Sequence, residues 1–311
     1  MAWFSKKRTL SGWMVVSTDT DAIRLACVDR STQGKPRVDR WGILKQNENS
    51  GAELEKVAEE YKLERYRCAT LLHPAEYQLL MVDAPSVPRE ELKAAIRWRV
   101  KDLLDYHIDD ATMDVLDIPM DTEAAGKSHY MYAVAAKNEI VQAQIAQFER
   151  ANIRLQVIDI PETAQRNIAE LYETTDRGVG MLTFDYAGGL FTLSFRGELY
   201  LARRLDVTWS QLVGSRENQR QTYFERIGVE IQRSLDHFER QYQHIALSEL
   251  LLGPLPEDIG LLPFLSSQLY LPLRQINLAD TLEFAEDMGV EKQWQLFHVL
   301  GAALRAEANA I

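Results

Sequence analysis

The sequence predicts an α/β protein of two similar lobes. The same order of elements, three strands, a helix, a strand and a helix, can be read from both halves of the chain. The length of 311 residues exceeds a single core, which usually closes at about 100–200 residues. Turns rich in Asp and Gly punctuate apolar, partly β-branched runs at hairpin spacing. Residue identity between the halves is negligible, so the duplication is read from element order alone.

The first lobe opens on Trp13-Met-Val-Val-Ser17, followed by the turn residues Thr18-Asp-Thr-Asp21 and a second strand over 22–28. A third strand spans 37–44, a helix roughly 51–62, and further strands 67–72 and 77–82. Pro85 and Pro88 stop the last of these, since proline cannot donate to a ladder. Next come a helix over 90–104, an acidic turn at Asp105, Asp109 and Asp110, and strands near 112–118 and 129–136. Helices over 138–150 and 163–173 flank a strand over 154–160. The second lobe repeats the opening with strands over 180–185, 190–195 and 198–204, joined by turns at 186–189 and at Arg196-Gly197. A helix over 219–242 keeps Phe224, Ile227, Ile231, Leu235, Phe238 and Tyr242 on one buried stripe. A helix over 294–306 closes the chain. In domain terms the first lobe covers 1–82 and 138–175, with a small α+β subdomain inserted at 83–137. The second lobe covers 176–290, and 291–311 form a C-terminal helix at the lobe junction.

Composition narrows the function classes. Lys and Arg number 35 against 46 Asp and Glu, a formal charge of −11, whereas a protein that grips nucleic-acid phosphates needs a basic face. Cys27 and Cys68 make no disulfide framework and read as small buried hydrophobes; with no secretory signal, the cytoplasm is the expected compartment. The most apolar stretch, 245–273, is broken by Glu249, Glu257, Asp258 and several prolines, short of the roughly 20 apolar residues a spanning helix needs. At the N-terminus, Trp3 and Phe4 stand beside Lys6, Lys7 and Arg8, which reads either as a foothold on an anionic membrane or as a solvated end.

No Gly-x-x-x-x-Gly-Lys, Gly-x-Gly-x-x-Gly, Gly-x-Ser-x-Gly or His-Glu-x-x-His motif is present. His237 and His244 are seven apart on a helix but have no further ligand group, so no metal site is expected. The turn Asp185-Tyr-Ala-Gly-Gly189 offers backbone N–H groups to an anion and a carboxylate to a metal-bound water; equally, it is a hairpin that uses Gly for positive φ. On the 90–104 helix, Leu92, Ala95, Ile96, Val100 and Leu103 share one face, while Trp98 points away with Ala94, Lys101 and Asp105. A Trp outside the buried stripe either packs under a neighbouring loop or anchors a partner.

Together these residues resemble the actin-like ATPase-fold proteins of type IV pilus assembly, the PilM family, in particular its MSHA-pilus (MshI-type) branch. The cytoplasmic part of the GspL type II secretion proteins is more distant. The resemblance is carried by the basic start Lys6-Lys-Arg8 before an apolar hairpin and by Pro88-Arg-Glu-Glu-Leu-Lys-Ala-Ala-Ile-Arg-Trp98 leading into an acidic stretch. It continues through Val157-Ile-Asp-Ile-Pro-Glu-Thr-Ala164, the Asp185 hairpin with Gly197, Glu230-Ile-Gln-Arg-Ser-Leu235 and Leu300-Gly-Ala-Ala-Leu-Arg305. It implies an actin-like, ribonuclease H-like bilobed fold with duplicated βββαβα lobes. It also implies a cytoplasmic place at the inner face of the bacterial inner membrane and a partner, the N-terminal segment of a PilN-like single-span protein. Other platform components would be further partners; no nucleic acid is expected.

The departures from the family pattern concern ATP. The family's first phosphate loop has an Asp, a Gly two residues on and a later Lys; this chain offers Ser17, Asp19 and Arg24. Asp19 would face a triphosphate, and like charges at 4 Å repel by roughly 1 kcal/mol in water and about 4 kcal/mol at an effective dielectric of 20. The second loop keeps Asp185, Gly188 and Gly189 but has Ala187 where Gly is expected and Leu190 where a hydroxyl often sits. The adenosine loop keeps Gly253 but has Pro254, which lacks an N–H. Phosphoryl transfer depends on positioning and charge stabilisation, so the expectation is a pseudo-ATPase scaffold with no catalytic residue, no metal and no cofactor. If nucleotide binds nonetheless, Arg24, Asp185, Gly188, Gly189 and Gly253 would hold ATP and magnesium, making the protein a switch. A partner would meet Trp98, Ala94, Lys101 and Asp105. A sugar or acetate kinase of the same fold would need a catalytic Asp and a polar pocket, which the sequence does not place; a self-polymerising filament is a further alternative.

Overall fold

The computed structural model describes residues 10–30, 34–45, 50–119, 129–174 and 176–306. The N-terminal aromatic and basic residues therefore lie outside the described residues.

Strands β1 (Trp13–Thr18), β2 (Ala22–Asp29) and β3 (Arg37–Lys45) form an antiparallel meander, followed by α1 (Ser50–Tyr61) and by β4 (Arg67–Leu71), which runs parallel to β1. The chain then leaves the lobe. β5 (Tyr77–Asp83), α2 (Leu92–Val100), β6 (Ala111–Asp117) and β7 (Tyr130–Lys137) build a separate sheet of order β5-β7-β6 with α2 packed on it. Tyr77–Asp83 thus joins the inserted unit, although the sequence reading began that unit at residue 83. α3 (Asn138–Arg150), β8 (Leu155–Asp159) and α4 (Pro161–Glu170) complete the first half.

The second half repeats the plan: β9 (Arg177–Phe184), β10 (Gly189–Phe195), β11 (Glu198–Leu205), α5 (Trp209–Gly214), α6 (Glu217–Gln241), β12 (Ala246–Leu252), α7 (Leu261–Gln268) and β13 (Leu273–Gln275). The first sheet orders its strands β3-β2-β1-β4-β8 and the second β11-β10-β9-β12-β13, so each strand has its counterpart in the same place. Both Arg196 and Gly197 have positive φ, the type I′ geometry that matches the twist of β10 and β11. β14 (Glu283–Phe284) returns to the first sheet and pairs with the edge of β3, although the sequence reading left this stretch in the second lobe. α8 (Val290–Gln295) and α9 (Phe297–Ala303) end the chain, with a break at Leu296 where one continuous helix was expected.

The junction is built from α4 and α9. α4 packs mainly on β10 and α9 mainly on β1 and β2, so each lobe is covered by the other's terminal helix. One buried core joins Val15, Ala26 and Ala69 of the first sheet, Val179, Met181 and Leu251 of the second, and Ala164, Ile168 and Leu300 of the crossing helices. At the crossing, a Cβ on Gly301 would overlap the Ala164 carbonyl oxygen, and Asn167 Nδ2 donates to the Gly301 carbonyl at 2.9 Å. Polar groups register the helix as well: Gln165 donates to the Met181 and Leu190 carbonyls and accepts from Thr183.

Candidate functional site

Parallel β1 and β4 end at a cleft of about 530 Å³ between the lobes. Its first-lobe wall is the β1–β2 turn, with Ser17, Asp19, Asp21 and Arg24, and the end of β4 at Leu72 and His73. Its second-lobe wall is Asp185, Tyr186 and Ala187, and its floor includes Trp294 and His298 from the C-terminal helices. Ligand clefts of α/β proteins sit at such carboxyl ends of strands.

The structure brings Arg24 and Asp185 to this cleft, as the sequence reading requires, but both are already engaged. Arg24 reaches back to Asp21 at 2.8 Å and lies 3.7 Å from Asp19. The guanidinium nominated for a phosphate is therefore held by two carboxylates of its own hairpin, one of them Asp19. Asp185 Oδ1 accepts from the N–H groups of Ala187 at 2.8 Å and Gly188 at 3.0 Å. Those are the donors that the Gly-rich turn would turn toward an anion. Gly188 has a φ of +143°, and a Cβ there would meet the Leu205 carbonyl. Gly189 is buried in β10 and Gly253 against Thr183, neither lining the cleft.

Sequence reasoning missed the groups that fill the cleft floor. Trp294 Nε1 donates to the Phe184 carbonyl at 2.6 Å, and its ring meets Tyr186 edge-on with centroids 5.1 Å apart. His298 Nδ1 stands 3.7 Å from Asp185 Oδ2, beyond hydrogen-bond reach, and its Nε2 is buried without a partner. Burial lowers the His298 pKa from its usual 6.5, opposed by the Asp185 carboxylate and reinforced by the Arg204 charge. Beside it, Glu162 at the start of α4 is 2% exposed and accepts from Arg204 Nε on β11 at 2.9 Å and from the Tyr77 hydroxyl on β5. Arg204 also donates to Tyr77 at 2.8 Å, closing a triangle that ties first lobe, second lobe and inserted unit together. Burial and the adjacent Glu162 carboxylate raise the Tyr77 pKa. No local pattern marks this triangle, because its members lie on three elements remote in sequence.

The α2 surface follows the predicted facing only as far as the helix extends. Ile96 and Val100 are fully buried, and Trp98 is 71% exposed, with Lys101 Nζ 5.6 Å from its ring centroid. Ala94, Lys101 and Asp105 are exposed as well. Trp98 packs under none of the described loops. Leu103, expected on the buried face, is 54% exposed because the helix ends at Val100 and the 100° progression stops there. Among the described residues no group of ligand side chains is arranged to hold a metal, and no helix is long and apolar enough to cross a membrane.

No family model and no curated protein matches the sequence. Solved structures do match. One is a chain of the PilM-PilN type IV pilus biogenesis complex, with a TM-score of 0.70 and 18% identity over 94% of this chain and 96% of that chain. A second is a Bacteroides thetaiotaomicron protein described as having an actin-like ATPase fold and unknown function, with a TM-score of 0.50 and 12% identity over 90% of this chain and 95% of that chain. The chain has the actin-like ATPase fold. The cytoplasmic domain of EpsL, an inner membrane component of the Vibrio cholerae type II secretion system, is similar at a TM-score of 0.50 and 12% identity over 95% and 96% of the two chains. The resemblance to PilM proteins read from the sequence thus extends over the whole fold.

Proposed function

We propose that this actin-like chain is a non-catalytic scaffold of an MSHA-type pilus assembly platform at the cytoplasmic face of the inner membrane. It binds the N-terminal segment of a PilN-like membrane protein. The observation that carries the non-catalytic part is the Asp185 carboxylate, which occupies the Ala187 and Gly188 N–H groups. With Arg24 committed to Asp21, a triphosphate would meet three carboxylates and few free donors. The partner reading is supported by the likeness to the PilM-PilN complex and by Trp98, a large aromatic left open beside Lys101 and Asp105. Basic residues in the partner segment would complement the acidic chain.

Equilibrium titration with a fluorescent ATP analogue and Mg²⁺ tests the first half. No saturable binding at micromolar concentration is expected, and micromolar affinity would establish the switch reading instead. Titration with the partner's N-terminal peptide tests the second half. Chemical-shift changes should centre on α2, and an unmoved spectrum would overturn the assignment.

A further inference from the structure

The interlobe cleft offers acceptors and negative charge to whatever enters it. Among the described residues its lining holds three carboxylates, Asp19, Asp21 and Asp185, against the single guanidinium of Arg24. Two carboxylate oxygens are left without a hydrogen-bond donor, one on each wall. Asp19 Oδ1 accepts from the Thr20 N–H at 2.8 Å, whereas its Oδ2 lies 3.7 Å from Arg24, beyond hydrogen-bond reach. Asp185 Oδ1 closes its own loop, and Oδ2 has only the His298 ring at 3.7 Å. His298, also in the lining, leaves Nε2 buried and unpartnered. Burial lowers its pKa from 6.5, so the imidazole adds no charge at neutral pH. The donors nearby are taken: the Ala187 and Gly188 N–H groups by Asp185, the Trp294 indole by the Phe184 carbonyl.

We infer that this cleft binds an organic cation, a primary ammonium carried on an alkyl chain. An ammonium has three donors and no acceptor, the complement of a cavity with unmet acceptors on both walls. A metal ion lacks its ligand set, since no three described His, Cys, Asp or Glu side chains gather to hold one. The rest of the lining suits methylene groups. Leu72, Pro74, Pro161 and Val299 are apolar, and the Tyr186 ring is 59% exposed, open to a cation over its face. A volume of about 530 Å³ is that of a small-molecule site, with room for a linear polyamine or for one lysine side chain of another protein. Asp19 belongs to the first lobe and Asp185 to the second, so the bound cation bridges them and stabilises the folded chain.

The inference goes beyond the scaffold role, and its test uses neither nucleotide nor the α2 peptide, so each reading can fail alone. The full chain is titrated calorimetrically with spermidine, with a capped peptide bearing one lysine, and with magnesium chloride at matched ionic strength. Saturable one-site binding of spermidine is expected and assigns a free polyamine; saturation by the peptide alone assigns a lysine of a partner protein. Asp19→Asn and Asp185→Asn keep the Oδ1 acceptor but lose the charge. Each should weaken binding about tenfold, the loss of one hydrogen bond to a charged group. Tyr186→Leu should weaken it roughly threefold. Glu257→Gln removes the same charge from an exposed site outside the cleft and should leave the affinity unchanged. Melting temperatures confirm that the variants are folded. No saturation by either ammonium probe, the same affinity for magnesium, or equal weakening by Glu257→Gln would each overturn the assignment.

Discussion

Gly301 and His298 show how single positions set the junction and the cleft. The close crossing of α4 and α9 leaves no room for a methyl group at Gly301, because a Cβ would run into the Ala164 carbonyl. Gly301→Ala must push the helices apart, and overpacking of this kind costs about 1–3 kcal/mol. A urea denaturation midpoint lowered at unchanged slope checks it. His298 gives the protein a pH dependence whose sign follows from burial. Its pKa is lowered in the folded state, so near pH 6.5 the unfolded chain binds the proton more readily. The stability from keeping this imidazole neutral is complete above pH 6.5 and is lost as pH falls toward the folded pKa. Melting temperatures should therefore decline below pH 6.5, and His298→Gln should flatten that part of the profile. The buried thiols behave differently: burial pushes both Cys27 and Cys68 up to about 12, which keeps them inert.

At the scale of elements, α2 separates what local pattern encodes from what it does not. The 3.6-residue rhythm correctly sends Ile96 and Val100 inward and Trp98 outward. It overruns the helix end, which sets Leu103 in solvent. Exposure of this kind makes Trp98 separable from folding. Trp98→Ala should change stability by less than about 0.5 kcal/mol, as surface substitutions usually do, while weakening the partner peptide at least tenfold. Paired calorimetry of melting and of peptide binding reads both. The hairpins were legible for the same local reason, since Arg196-Gly197 and the Asp185 turn carry the residues their geometry requires. The recruitment of β5 into the inserted sheet and of β14 to β3 was not, because strand pairing partners are chosen by tertiary register.

Across the whole molecule, the Tyr77–Glu162–Arg204 triangle bears on whether the lobes move. Glu162 is buried at the lobe junction, and its two partners come from the other lobe and the inserted unit. Replacing one partner leaves a buried carboxylate uncompensated, which costs roughly 3–5 kcal/mol when the pair is fully enclosed. Arg204 keeps 31% of its side chain in water, so Arg204→Met should cost about 3 kcal/mol, the low end. Loss of stability well under 1 kcal/mol in a denaturant titration would show the triangle to be dispensable. The order of strands and helices, the duplicated plan and the outward Trp98 were determined by the sequence itself, because each rests on periodicity and turn chemistry within a few residues. Tertiary structure alone decided that Glu162 meets Tyr77 and Arg204, groups 85 and 42 residues away from it in the chain. Rotamers and long-range packing select those contacts among many compatible donors and acceptors, a choice that spacing along the chain does not record.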